Sequence, residues 1–409
     1  MTPGCSTICL PIGQDDYLDL IHSPAKFRCW LDRVFRDHPE LFPEAFAQGY
    51  TLKDCKPSTK LGLPLRRIRC KATRQAFTVR PAFVLPYLTG YTDAVEKPLF
   101  LRRFGVPFWA LARVFGKDPM YWYRLEVGLG RNSVVGTTVR TVEIPRHVVA
   151  DEHHQTHQGA KVFIATVVAG GCCLGAGVVD ACDEAALTLG YGIFRQEAQD
   201  VAETYTPQTV NTDGWAATQL AWRALFPLVT VLRCFLHGWL SIRDGCKKHP
   251  LFVALSEKVW HAYHALDRRT FSQRLRRLRE WAERTLSGEI LARTLRLCGR
   301  IQEYGLAYAH PTGHRTSTML DRVMRSMSGY FDGGQHLHGK AQARRQHVRA
   351  WALLHNFAPW GPETERATGY GSPAERLNDH RYHDNWLHNL LVSASLAGFR
   401  QRNSPPHNA

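Results

Sequence analysis

Residues Val162 to Val179 run for 18 positions without a charged side chain, about the length at which a membrane-crossing helix becomes a candidate. The stretch divides as VFIATVVA, Gly170-Gly171 and CCLGAGVV. Two β-branched runs of strand length on either side of a Gly-Gly pair read as a buried hairpin. Its four glycines argue against a helix. Whatever the chain folds into has this hairpin inside it.

The surrounding pattern gives the hairpin its context. A short strand from Arg146 ends near Asp151 and precedes it. After it come a helix from about Asp183 to Gln199, a strand through Thr209, Val210 and Asn211, a helix after Gly214 and a strand from Leu228 to Leu232. Three strands followed by alternating helix and strand is the order of a ribonuclease H-like α/β domain. Past Lys248 the strands stop. The segment from Pro250 to about His310 is helical and basic, with ten Arg against four acids between Asp267 and Arg300, and reads as an insertion. A helical pattern resumes near Thr316 and runs past Asn356 until Pro359, Gly361 and Pro362 break it.

Ahead of this core, Pro64 to Val79 alternates enough for two short strands. Cys55 and Cys70 hint at a zinc ribbon but lack the paired Cys-x-x-Cys knuckles, so no zinc is expected there. Val106 to Phe115 places Phe108, Leu111, Ala112 and Phe115 on one helical face, and Asp118-Pro119 caps a second helix after Gly116. With Trp122, Tyr123 and Arg124 early in that second helix, the pair reads either as a DNA-docking helix-turn-helix or as two packed helices. The resulting division is 1–90, a small β segment; 91–140, a helix-turn-helix-like segment; 141–358, the α/β core with its insertion at about 248–312; and 359–409, a helical tail frayed from Asn403 on.

Charge points to the partner. Lys and Arg number 52 against 36 Asp and Glu, a net +16, which favours a polyanion, nucleic acid before an anionic membrane surface. Candidate DNA contacts are Trp122, Arg124, Arg268, Arg269, Arg276, Arg277, Lys340, Arg344 and Arg345, with a solvated helix face as the alternative for the last three. Met1 to Gly13 lacks the basic and apolar regions of a secretory signal. Eleven cysteines without framework spacing suit a reducing cytosol.

Chemistry centres on two acids. Asp151 follows the apolar run His147-Val-Val-Ala, and Asp213 ends the strand Thr209 to Thr212. Adjacent strand ends would bring their carboxylates together, and such a pair repels unless a hard cation sits between them, which Mg²⁺ or Mn²⁺ does with oxygen ligands. Two such ions can activate the attacking water or 3′-hydroxyl of a phosphodiester reaction and stabilise its leaving oxygen. Taken singly, either Asp reads as a cap or turn residue. His153, His154 and His157 read as loop histidines, solvated or contacting phosphate, ahead of a zinc site.

The run Arg315-Thr-Ser-Thr-Met-Leu-Asp-Arg resembles the Arg-Thr-Ser/Thr-Asn-x-x-Glu segment of DDE transposases from bacterial insertion sequences. It departs from that pattern in having Thr318 for Asn and Asp321 for Glu. Cys234-Phe-Leu-His237 is similar to the Cys/Asp-x-x-His motif found downstream of the second Asp in those members that carry an all-α insertion. The resemblance covers roughly Arg146 to Asn356. It implies a third metal ligand at Asp321, with Asp332 and Glu303 as fallbacks, an accessory role for Cys234 and His237, and a part for Trp260 or Trp281 in hairpin or end chemistry. It further implies two Mg²⁺ or Mn²⁺ ions, duplex DNA as partner, action as a homodimer or larger assembly, no membrane, and a cytoplasmic, nucleoid-associated bacterial protein. The rival readings are a transposase-derived DNA-binding protein without activity and a metal-dependent nuclease that never joins strands.

Overall fold

The computed structural model of the chain describes residues 6–58, 62–86, 88–334 and 336–399. It opens with strand β1 (Thr7–Leu10), helices α1 (Gln14–Ile21) and α2 (Pro24–Asp37), and strands β2 (Tyr50–Ser58), β3 (Leu63–Cys70) and β4 (Ala76–Pro81). The strands form one sheet in the order β1-β4-β3-β2, with β1 parallel to β4 and the other pairs antiparallel. Of the two ribbon-like cysteines, Cys70 is buried and Cys55 exposed.

Four helices follow, α3 (Asp93–Arg102), α4 (Phe108–Phe115), α5 (Pro119–Leu129) and α6 (Val134–Thr138). The turn between α4 and α5 uses Gly116 at φ +71° and the Asp118 carboxylate, which accepts from the Met120 N–H. Trp122 does not face outward. It is 2% exposed and its indole N–H donates to the Gly116 carbonyl at 3.0 Å, so it locks the turn from inside and is unavailable to DNA. Arg124 is exposed.

The central sheet consists of β5 (His147–His157), β6 (Ala160–Ala169), β7 (Cys172–Val179), β8 (Thr209–Thr212) and β9 (Thr230–Arg233). Its order is β7-β6-β5-β8-β9; β5 and β7 are each antiparallel to β6, while β8 and β9 run parallel to β5. The uncharged stretch is the β6–β7 hairpin, turning at Gly170-Gly171. Helices α7 (Glu184–Val201) and α8 (Ala216–Leu225) cover one face. A Cβ on Gly177 would stand 2.2 Å from the Gly190 carbonyl oxygen, so α7 can lie this close to β7 only because both positions lack side chains. The first strand was expected to stop at Asp151, followed by a histidine loop. Instead β5 continues to His157, because β6 pairs with it over its whole far half, and His153, His154 and His157 are strand residues.

Past β9, α9 (Phe235–Cys246), α10 (Phe252–Tyr263), α11 (Arg268–Thr285), α12 (Gly288–Cys298) and α13 (Ile301–Gly305) form the insertion, which has an apolar core of its own around Phe235, Trp239, Phe271 and Leu275. The predicted helix from Thr316 divides into α14 (Thr318–Gly333) and α15 (Ala341–Phe357), whose Leu320, Val323, Met327 and Trp351 cover the other face of the central sheet.

The last helices are α16 (Pro362–Thr368), α17 (Pro373–Asn378) and α18 (Trp386–Ser393). They are no loose tail. Leu387, Leu390 and Leu391 share one core with Ile8 and Leu10 of β1, Leu125 of α5 and Leu353 of α15, so the boundaries at 90, 140 and 358 do not separate cores. The terminus said to fray lies outside the described residues. No described helix is long and apolar enough to cross a membrane.

Candidate active site

Asp151 sits inside β5 and Asp213 one residue beyond β8, on the edge where the parallel strands end. That edge is where open α/β sheets collect their chemistry. The two carboxylates are in electrostatic reach of each other: burial first, then the Asp213 charge, pushes the Asp151 carboxyl up to about 7. Its Oδ1 accepts the Glu152 N–H at 2.8 Å. Asp213 Oδ1 accepts the Trp215 N–H at 2.7 Å across Gly214, whose φ of +96° and contact with Arg233 exclude a side chain there.

The Cys-x-x-His pair stands beside these acids. Cys234 is the N-cap residue of α9, with His237 in its first turn. Burial alone would raise the Cys234 thiol, but the neighbouring His237 imidazole and the Ser317 hydroxyl override this and bring it down. His237 rises to about 9, through neighbouring Cys234 first and then the charges of Asp151 and Asp213, which favours its imidazolium form. This cation offsets part of the repulsion between the two carboxylates.

The RTS segment meets the same corner. The Ser317 N–H donates to Cys234 Sγ at 3.2 Å, and Ser317 Oγ donates to Asp321 Oδ2 at 3.2 Å. The Phe235 N–H donates to the Arg315 carbonyl at 3.1 Å. Arg315 itself reaches into the insertion, its guanidinium 4.5 Å from the ring centres of both Tyr263 and Tyr308. The two motifs singled out in sequence therefore staple together the entry and exit of the insertion. Asp321 is carried on the first turn of α14 beside them.

Glu303 pairs with Arg233 at 2.9 Å, and Asp332 lies at the far end of α14 within reach of His153. Asp151, Asp213 and Asp321 do not converge as a ligand set: among the described residues no three His, Cys, Asp or Glu side chains are grouped to hold a metal ion. What the geometry offers a hard cation is the oxygen-donor pair of Asp151 and Asp213, with Asp321 tied to Ser317 nearby.

Sequence reasoning passed over Glu152. It points to the other face of β5, where its Oε1 accepts from Tyr191 Oη at 2.6 Å and Thr218 Oγ1 at 2.7 Å, fixing α7 and α8 against the strand behind Asp151. Its neighbour Asp151 was the only signal available. The histidines do not cluster: His154 packs on Phe163, and His157 bonds the Gly339 carbonyl.

Of the basic candidates, Arg268, Arg269, Arg276, Arg277, Lys340 and Arg345 are exposed. Arg344 is 5% exposed, paired with Asp180 at 2.6 Å, and is a packing residue. Trp260 packs against Phe235, Trp239 and Tyr263 inside the insertion, and Trp281 lies under Lys258. The chain matches no protein-family profile, and no curated protein is significantly similar to it.

Proposed function

We propose that the chain is a DDE-type transposase, binding the ends of a mobile element and carrying out metal-dependent DNA cleavage and strand transfer from a ribonuclease H-like core. The observation that carries the reading is the placement of Asp151 and Asp213 at the carboxyl edge of neighbouring parallel strands, with Asp321 on the helix that crosses the sheet beside them. The strand order β7-β6-β5-β8-β9 and the helical insertion between β9 and α14 support it.

Asp151 and Asp213 would hold Mg²⁺ or Mn²⁺, and Asp321 would join them. Such ions supply activation of a water or 3′-hydroxyl and stabilise the leaving oxygen of a phosphodiester. His237 balances the acidic pair, Cys234 and Ser317 position the start of α14, and Glu152 braces β5 from behind. The exposed arginines of α11 provide a cationic face for the DNA backbone, and two copies acting together would engage two ends.

The lack of a three-donor cluster among the described residues favours a second reading, a DNA-binding protein whose transposase site no longer works. A plasmid carrying the DNA that flanks the coding region, incubated with the protein and Mg²⁺, separates the two. Cleaved ends and strand-transfer products are the outcome for a transposase, cleavage without joining for a nuclease, and bound but intact DNA for the binder.

A further inference from the structure

Between the first sheet and the end of α18 the protein holds a cavity of about 220 Å³. Strand register sets its polar side. Thr7 of β1 pairs with Thr78 of β4, and Cys9 with Arg80. Because alternate strand residues share a face, Thr7, Thr78 and Arg80 line one wall. Leu65, Leu85, Pro86 and Leu391 make the rest of the lining largely apolar.

Arg80 is 8% exposed, and its Nε and Nη1 have no hydrogen-bond partner among the described residues. None of the ion pairs among those residues includes it. It hydrogen-bonds the buried Cys9 thiol, a weak acceptor. Burial pushes that thiol up, so it stays neutral and cannot balance the charge. A guanidinium this buried is normally paired, because an uncompensated buried charge is costly. Here it borders a cavity instead.

We infer that the cavity binds a small aliphatic carboxylate, with its head group on Arg80 and its chain against Leu65, Leu85 and Leu391. One monoanion neutralises the one guanidinium. A phosphate dianion would leave a net negative charge, since no other cation lines the cavity among the described residues. The Thr7 and Thr78 hydroxyls are further donors for the carboxylate oxygens. The volume falls below the roughly 300–1,000 Å³ of pockets for drug-sized ligands, which limits the chain to a few carbons. Ala397, also in the lining, and Leu396 hold φ of +57° and +56°, the kind of backbone strain that ligand clamps store. The inference does not rest on the DNA-cleaving reading above.

Isothermal titration of the full chain at constant ionic strength compares hexanoate with hexanamide, a neutral molecule of the same shape. Wild type should bind hexanoate at least about 10-fold tighter, the worth of one charge-assisted hydrogen bond, and Arg80→Met should bind the two equally. Inorganic phosphate stands for a phosphoryl ligand. It should bind wild type at least about 10-fold more weakly than hexanoate, since each buried methylene is worth about a factor of four. Arg80→Met keeps an apolar stem and removes an uncompensated charge, so without ligand it should melt no lower than wild type. Equal affinity of wild type for hexanoate and hexanamide overturns the inference, as does wild-type binding of hexanoate by Arg80→Met or tighter binding of phosphate than of hexanoate. A lower melting temperature for Arg80→Met overturns it too, because the charge would then already be neutralised inside the protein.

Discussion

Asp151 and Asp213 stand at the same level of neighbouring parallel strands. His147, Val148 and Val149 of β5 pair with Thr209, Val210 and Asn211 of β8, each 62 positions later, and Asp213 follows Asp151 by the same interval. Because strand side chains alternate between faces, this register puts both carboxylates on one side of the sheet, and a slip of one residue would part them. β8 and β9 pair at an interval of 21, which brings Cys234 to that level too.

The folded-state Asp151 carboxyl is raised to about 7, above its ordinary value, by burial and by Asp213. The folded protein therefore holds a proton there that the unfolded chain releases near pH 4, and the associated stability is full below that pH and lost as pH rises through about 7. In metal-free protein at pH 8, Asp151→Asn should be more stable than wild type by about 2 kcal/mol, the Coulombic part being screened by solvent. Mg²⁺ competes with that proton, so it should raise the melting temperature of wild type more at pH 8 than at pH 6, and that of Asp151→Asn at neither. Urea and thermal melts across pH check both.

The staple around Ser317 should matter more to rate than to binding. Ser317→Ala removes the hydroxyl that Asp321 accepts from and should lower the cleavage rate about 10-fold with little change in DNA affinity. Asp321→Ala should abolish cleavage, whereas Glu303→Ala and Asp332→Ala should retain it, since Glu303 is occupied by Arg233. Single-turnover assays with anisotropy as the binding control measure each.

A buried ion network should dominate the stability of the core near α5. Glu126, fully buried, is held below the usual carboxylate range by Arg102 and His347 against the effect of burial. Removing it strands the Arg102 charge, 1% exposed, without its carboxylate. Glu126→Ala should cost about 3–5 kcal/mol in denaturant unfolding.

Changing Arg268, Arg269, Arg276 and Arg277 together to Ala should flatten the dependence of log affinity for duplex DNA on log salt by about 3–4. Arg344→Ala should leave that slope alone and lower the melting temperature instead, since Arg344 is spent on Asp180. Titrations at several salt concentrations distinguish them.

The hairpin at Gly170-Gly171 was legible because strand length, β-branching and glycine all agreed locally. The order of strands and helices in the core was legible for the same reason. The true end of β5 was not: Gln155, Thr156 and His157 look like loop residues, and only pairing with Val162, Lys161 and Ala160 makes them strand. Trp122 misled because an aromatic on a short helix reads alike whether it faces DNA or a turn carbonyl. The place of α18 beside β1 rests on contacts such as the Ser395 hydroxyl accepting from the Cys9 N–H, 386 residues apart, which no local pattern encodes. At the site, the two aspartates stood out from their places at strand ends and the Cys234 motif only through the family resemblance, while the Ser317 bridge between motifs emerges only in three dimensions.

The proposed function stands on Asp151 and Asp213 as the metal-holding pair of a DNA-cutting enzyme. Its most direct test is Mg²⁺-dependent nicking of duplex DNA containing the flanking sequences, compared among wild type, Asp151→Asn and Asp213→Asn, each verified as folded by circular dichroism. Wild type should cut only with Mg²⁺ or Mn²⁺, and both variants should lose at least about 1,000-fold in rate while still binding the DNA. Cleavage by either variant at the wild-type rate would contradict the assignment.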